Sequence, residues 1–135
     1  MRGENAYLIL YYSIVSYSYH IIGDLIMMQR YLNIIEHFGY RKQMKKLHEE
    51  VFELNEAIDA YEDYLAFGRP ADDTISENIR ILLRDAIVNE MADVLTLCTQ
   101  FIGKYDICSE EINSAMDFKL TRTEDRIETG YYDED

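Results

Sequence analysis

A chain of 135 residues is long enough for one hydrophobic core and too short for two, so a single domain is expected. Its formal charge of −13 argues against a nucleic-acid partner, because binders of that polyanion carry a basic stripe. It leaves open small phosphorylated ligands held through a divalent cation. Hydrophobic residues are plentiful and Pro70 is the only proline, which favours a mostly helical, soluble protein. Cys98 lies in an apolar helical stretch and Cys108 just beyond it, with no CxxC or Cys/His spacing. A reduced, cytoplasmic protein with inert thiols is expected.

The opening stretch MRGENAYLILYYSIVSYSYHIIGDLI has no helical stripe, and from Ala6 to Ile22 only His20 can carry charge. Three readings apply. Gly23-Asp24 can be encoded by GGAGAT, which resembles a ribosome-binding sequence, with Leu25-Ile26 as spacer before a start at Met27 or Met28. A poorly packed extension comes second. A membrane anchor comes last, because the run is rich in Tyr and Ser and nothing basic flanks its far end. No clear basic start or cleavage site marks a signal peptide. The domain is therefore expected over 27–129, after a doubtful extension at 1–26 and before an acidic tail at 130–135.

From about Met28 a short helix is expected to reach Phe38 and end at Gly39 in a left-handed cap. From about Arg41 to Phe67, Met44, Leu47, Val51, Leu54, Ile58, Tyr61 and Leu65 alternate spacings of three and four. That pattern predicts a long amphipathic helix with one core-facing stripe. Gly68-Arg69-Pro70 stops it, and a polar connection follows. A third helix is expected over about Ser76 to Gly103, with a break near its start. Its stripe is Leu83, Ile87, Met91, Val94, Cys98 and Phe101, widened by Val88, Leu95 and Ile102. Such breadth predicts contact with a second subunit as well as with the chain's own helices. Ser109 is expected to cap a fourth helix, with Glu110 and Glu111 in its first turn, where acidic side chains suit the helix dipole.

HEEVFELNEAI, residues 48–58, places four glutamates on one helix, where like charges at this spacing repel. A cation reverses the sign of that repulsion, provided matching carboxylates exist elsewhere. NEMADV on the third helix supplies them. Glu90 and Asp93 are expected on one shoulder of its stripe, and Glu50 and Glu53 on the corresponding shoulder of the second helix. Antiparallel packing brings the two pairs face to face. Oxygen ligands without His or Cys suit Mg²⁺, with Mn²⁺ as a substitute, rather than zinc. Glu49 and Glu56 lie nearer the outer face. His37 and His48 are expected at the surface or an interface. A di-iron carboxylate site is disfavoured, because no glutamate stands three residues before any histidine.

KLHEEVFELNEAI followed by NEMADVLTL resembles the ExxE and ExxD motif pair of the all-α, MazG-like nucleotide pyrophosphohydrolases. The resemblance covers about Met28 to Arg126, with a longer interval than usual between Glu53 and Glu90. It implies a MazG-like bundle with four helices per protomer, completed by assembly into a homodimer or homotetramer. The activity it implies is Mg²⁺-dependent hydrolysis of a nucleoside triphosphate to the monophosphate and pyrophosphate, in house-cleaning or nucleotide-pool control. Glu50, Glu53, Glu90 and Asp93 match the metal-binding positions. Lys119 and Arg122 fall where the family keeps basic residues for phosphates, with Arg126 continuing the row. Glu53 or Glu49 is the candidate acceptor for the water proton. The competing reading is a non-catalytic helical oligomer that binds a partner or regulates it.

Overall fold

A computed structural model of the chain describes residues 23–68 and 73–130. Among these the structure is four helices without a strand: α1 over 23–38, α2 over Tyr40–Phe67, α3 over Asp73–Lys104 and α4 over Ser109–Glu128. The fold is all-α. Among the described residues no helix is long and apolar enough to cross a membrane. The readings placed on 1–22 lie outside the described residues, as does the tail from 131. Residues 23–26, assigned to the extension, belong to α1.

Local chemistry sets the helix ends. Gly39 ends α1 at φ 83°, but its ψ of 149° is an extended conformation reserved for glycine, not the left-handed helical cap expected. Its N–H donates to the Ile35 carbonyl at 2.9 Å, and its own carbonyl accepts the Gln43 N–H at 3.2 Å. One residue thus closes α1 and opens α2. Gly68 ends α2 with its N–H on the Tyr64 carbonyl. Helix α3 starts at Asp73, before the expected Ser76, and runs unbroken, so Asp73 and Thr74, expected in the connection, are helix. The cap of α4 is Cys108 rather than Ser109. The Cys108 N–H donates to Glu111 Oε2 at 2.9 Å in a capping box, and this bond holds the Glu111 carboxyl below its usual range.

Helices α2 and α3 pack antiparallel. Near the connection the Tyr64 hydroxyl donates to the Ser76 carbonyl at 2.8 Å and accepts from the Ser76 hydroxyl at 2.6 Å. Farther along, Glu50 and Glu53 meet Glu90. The buried residues of α2 are Gln43, Glu50 and Tyr64, spaced in multiples of seven, with Leu47, Leu54, Ala57 and Tyr61 half-buried between them. A seven-residue repeat keeps one seam facing the partner helix. The expected stripe is therefore split. Leu47, Leu54 and Tyr61 join the seam, whereas Met44, Val51 and Ile58 are exposed on its flank. On α3 the row is Leu83, Ile87, Glu90, Val94, Leu97 and Phe101; Leu97 is buried, and Met91 is exposed.

Helix α1 closes over the far end of α3 because Gly103 has no side chain. A Cβ there would lie 2.5 Å from Met28 Sδ and 3.2 Å from Leu32 Cδ2. Among α2, α3 and α4, only α2 and α3 touch each other. Helix α4 buries no residue, and its Met116, Phe118, Leu120 and Ile127 are exposed. The buried apolar set of the described residues is small: Ile35, Tyr64 and Leu97.

Tyr64→Phe removes both bonds to Ser76 and keeps the ring. It is expected to lower unfolding free energy by about 1 kcal/mol, measured by urea denaturation of parent and variant.

Candidate metal centre

The site forms where the two seams each present a carboxylate in place of an apolar residue. Glu50 comes from a buried position of α2 and is only 5% exposed. Glu53, one turn on, is exposed, and Glu90 on α3 is half-buried. One carboxylate oxygen from each lies within 4.8 Å of the others, a spacing at which the three could hold one metal ion. The two residues that most define the site therefore sit within the seam, not on the shoulders expected for them. This follows from the rotation of both helices toward each other.

Lys46 is the cation nearest to this group that the sequence reading did not single out. Its Nζ lies 2.5 Å from Glu50 Oε1 and 3.7 Å from Glu49 Oε2. Its spacing of four residues before Glu50 was the available signal, since such pairs are neighbours on a helix. The Glu50 bond, opposed by desolvation, raises the Lys46 pKa. One ammonium does not balance three carboxylates. The negative charge of Glu50, with partial desolvation, pushes the Glu53 carboxyl above its usual 4.5; Lys46 opposes this, and Glu90 adds to it. Glu53 thus holds a proton more tightly than a free glutamate does. A divalent cation would supply the missing charge, and a donor set of carboxylate oxygens fits a hard ion.

The other residues expected at the site are placed differently. Asp93, one turn beyond Glu90, is exposed and outside the three-carboxylate group found among the described residues. Glu49 borders the group through Lys46, and Glu56 is exposed. Lys119 and Arg122 are exposed on α4, the helix that touches neither α2 nor α3; Arg122 lies over the Phe118 ring at 6.0 Å. Within one protomer they are not brought to the carboxylates. His37 stands edge-on to Phe38 at 4.7 Å, and His48 lines a shallow depression with Phe52 and Glu53.

A divalent cation is expected to raise the melting temperature of the parent chain, and to do so far less after Glu53→Gln or Glu90→Gln. At a hundredfold excess over Kd, native-state binding adds about 2.7 kcal/mol, readable by calorimetry. Because the proton on Glu53 competes with the cation, the affinity should fall on acidification at a pH above the ordinary glutamate range. Compared with protein-family models, curated proteins and solved structures, the chain has no match.

Proposed function

We propose that the protein is a Mg²⁺-dependent nucleoside triphosphate pyrophosphohydrolase on a MazG-like helical bundle, with Mn²⁺ able to replace Mg²⁺. The observation that carries the reading is the convergence of Glu50, Glu53 and Glu90, from two helices, within 4.8 Å. These three match the ExxE motif and the first position of ExxD; Asp93, the last match, lies one turn away and outside the group.

When bound, Mg²⁺ would supply positive charge to offset the anionic polyphosphate and Lewis-acid polarisation of the attacked phosphorus. Glu50, Glu53 and Glu90 would hold it. The water oxygen bonds to the α-phosphorus, the α–β bridging P–O bond breaks, and pyrophosphate leaves with its electron pair. Glu53 or the adjacent Glu49 takes the water proton. The raised pKa of Glu53 suits it to that step, since a base works best when its pKa approaches the working pH.

The proposed assembly is a homodimer or homotetramer. Val88 and Leu95 on α3 are exposed, Leu95 by 59%, and Met44, Val51 and Ile58 expose a second apolar row on α2. Such patches are uncommon on monomers. An assembly that lays α4 of one protomer across the α2–α3 pair of another brings Lys119 and Arg122 to the phosphates, where their charge stabilises the leaving pyrophosphate.

Pyrophosphate release from a panel of ribo- and deoxyribonucleoside triphosphates with Mg²⁺ tests the activity. Glu53→Gln and Glu90→Gln are each expected to lower turnover by about a hundredfold or more while helicity is kept. A parent chain that assembles but releases no pyrophosphate from any nucleotide returns the non-catalytic oligomer. Leu95→Glu is expected to weaken association in light scattering and to spare cation binding. A parent that stays monomeric at micromolar concentration sinks the assembly.

A further inference from the structure

The groove between α1 and α2 concentrates positive charge in a chain of net charge −13. Of its thirteen Lys and Arg residues, Arg41, Lys42, Lys45 and Lys46 fall in the first two turns of α2. Cations are unfavourable at that end of a helix, where the N–H groups already carry partial positive charge. No acidic residue stands in the first turn, and no side chain caps it. An anion relieves both. Lys42, Lys45 and Lys46 line, with Ile34, Phe38 and Gln43, a groove of about 480 Å³. That volume is within the range of small-ligand sites.

Gln43 is the second, independent observation. It is 6% exposed, yet its carboxamide has no hydrogen-bond partner among the described residues, and it lines the groove. Its amide is not sealed off without a partner, as Gln100 Oε1 is, so it reaches solvent and is open to a ligand edge. The groove also leads to the carboxylates. Lys45 and Glu49 line both it and the neighbouring depression that contains Glu53, and Lys46 bonds Glu50.

We propose that this groove takes the base of the nucleotide. Phe38 and Ile34 form its apolar floor, and the Gln43 carboxamide meets the hydrogen-bonding edge of the base. Lys42 and Lys45 contact the phosphates between the base and the carboxylates. The assignment rests on reading the carboxylates as a nucleotide pyrophosphohydrolase site. A carboxamide presents a donor and an acceptor side by side, so it discriminates among bases by their edge pattern. Gln43 is therefore the specificity-determining residue, and the lysines serve every base alike.

The test is equilibrium binding to the full chain with Mg²⁺. The probes are inorganic tripolyphosphate and the α,β-imido triphosphates of the common bases, whose α–β bridge resists hydrolysis. Phe38→Ala and Gln43→Leu are each expected to weaken the best-bound analogue by about tenfold and to flatten discrimination among bases, with tripolyphosphate affinity unchanged. Lys42→Ala combined with Lys45→Ala is expected to weaken both kinds of probe. If Gln43→Leu loses its helical signal, the half-exposed Phe38 carries the test alone. Unchanged analogue binding in Phe38→Ala and Gln43→Leu, or equal losses for tripolyphosphate, overturns the assignment. Pyrophosphate release that ignores both substitutions overturns it too, and leaves the pyrophosphohydrolase reading standing. Analogue binding that both substitutions abolish, in a parent that releases no pyrophosphate, supports the groove and sinks that reading.

Discussion

The repulsion among Glu50, Glu53 and Glu90 is the constraint around which the α2–α3 pair is organised. Taking a carboxylate out of water costs several kcal/mol unless a partner compensates it. Glu50 nevertheless occupies one of the most buried positions of α2. Lys46 compensates part of its charge, at 2.5 Å, from the preceding turn of the same helix. The remainder appears as the raised pKa of Glu53, which is exposed to water and still feels its neighbours. Three like charges stay together because the packing of the two helices holds them there, at a spacing that could hold a cation.

The same packing has little apolar material to spare. Gln43, Glu50 and Gln100 are buried alongside Ile35, Tyr64 and Leu97, and Gln100 Oε1 has no hydrogen-bond partner. A polar seam of this kind gains less from burial than an apolar one. It gains register. The Tyr64–Ser76 bonds at one end and the closely fitted Gly103 at the other fix where α3 lies along α2 and under α1. A slip along the seam would separate Glu90 from the glutamates of α2. The outer flanks of α2 and α3 and most of α4 stay exposed.

The proposed binding follows from where the few cations are placed. The lysines at the start of α2 act against the helix dipole, a local cost that makes sense beside a site for an anion. They stand one to two turns before Glu50, on the same rigid element as half the carboxylates. In the proposed reading, a phosphate chain lying along this helix meets its positive end first and the cation site next. Lys119 and Arg122 lie on a helix with no contact to this pair, so the phosphate role proposed for them requires assembly, whereas that proposed for Lys42 and Lys45 does not.

By itself the sequence determined the helices and most of their limits. Apolar spacing, Gly39, Gly68 and the acidic first turn of α4 are local signals, and each acts within a few residues of its effect. It also paired Glu50 and Glu53 with Glu90, because carboxylates at matching levels of two antiparallel helices follow from spacing along the chain. Only the tertiary structure decided which residues form the seam. Periodicity places a side chain around its own helix but does not fix how that helix is rotated against its neighbour, and a shift of one residue is 100°. That rotation put Gln43, Glu50 and Leu97 inside, turned Met44, Val51 and Asp93 outward, and made Lys46 the partner of Glu50. The Cys108 cap was likewise settled by the reach of Glu111 in three dimensions. The position of α4, away from α2 and α3, left no local trace at all, because it depends on which surfaces meet rather than on which residues are helical.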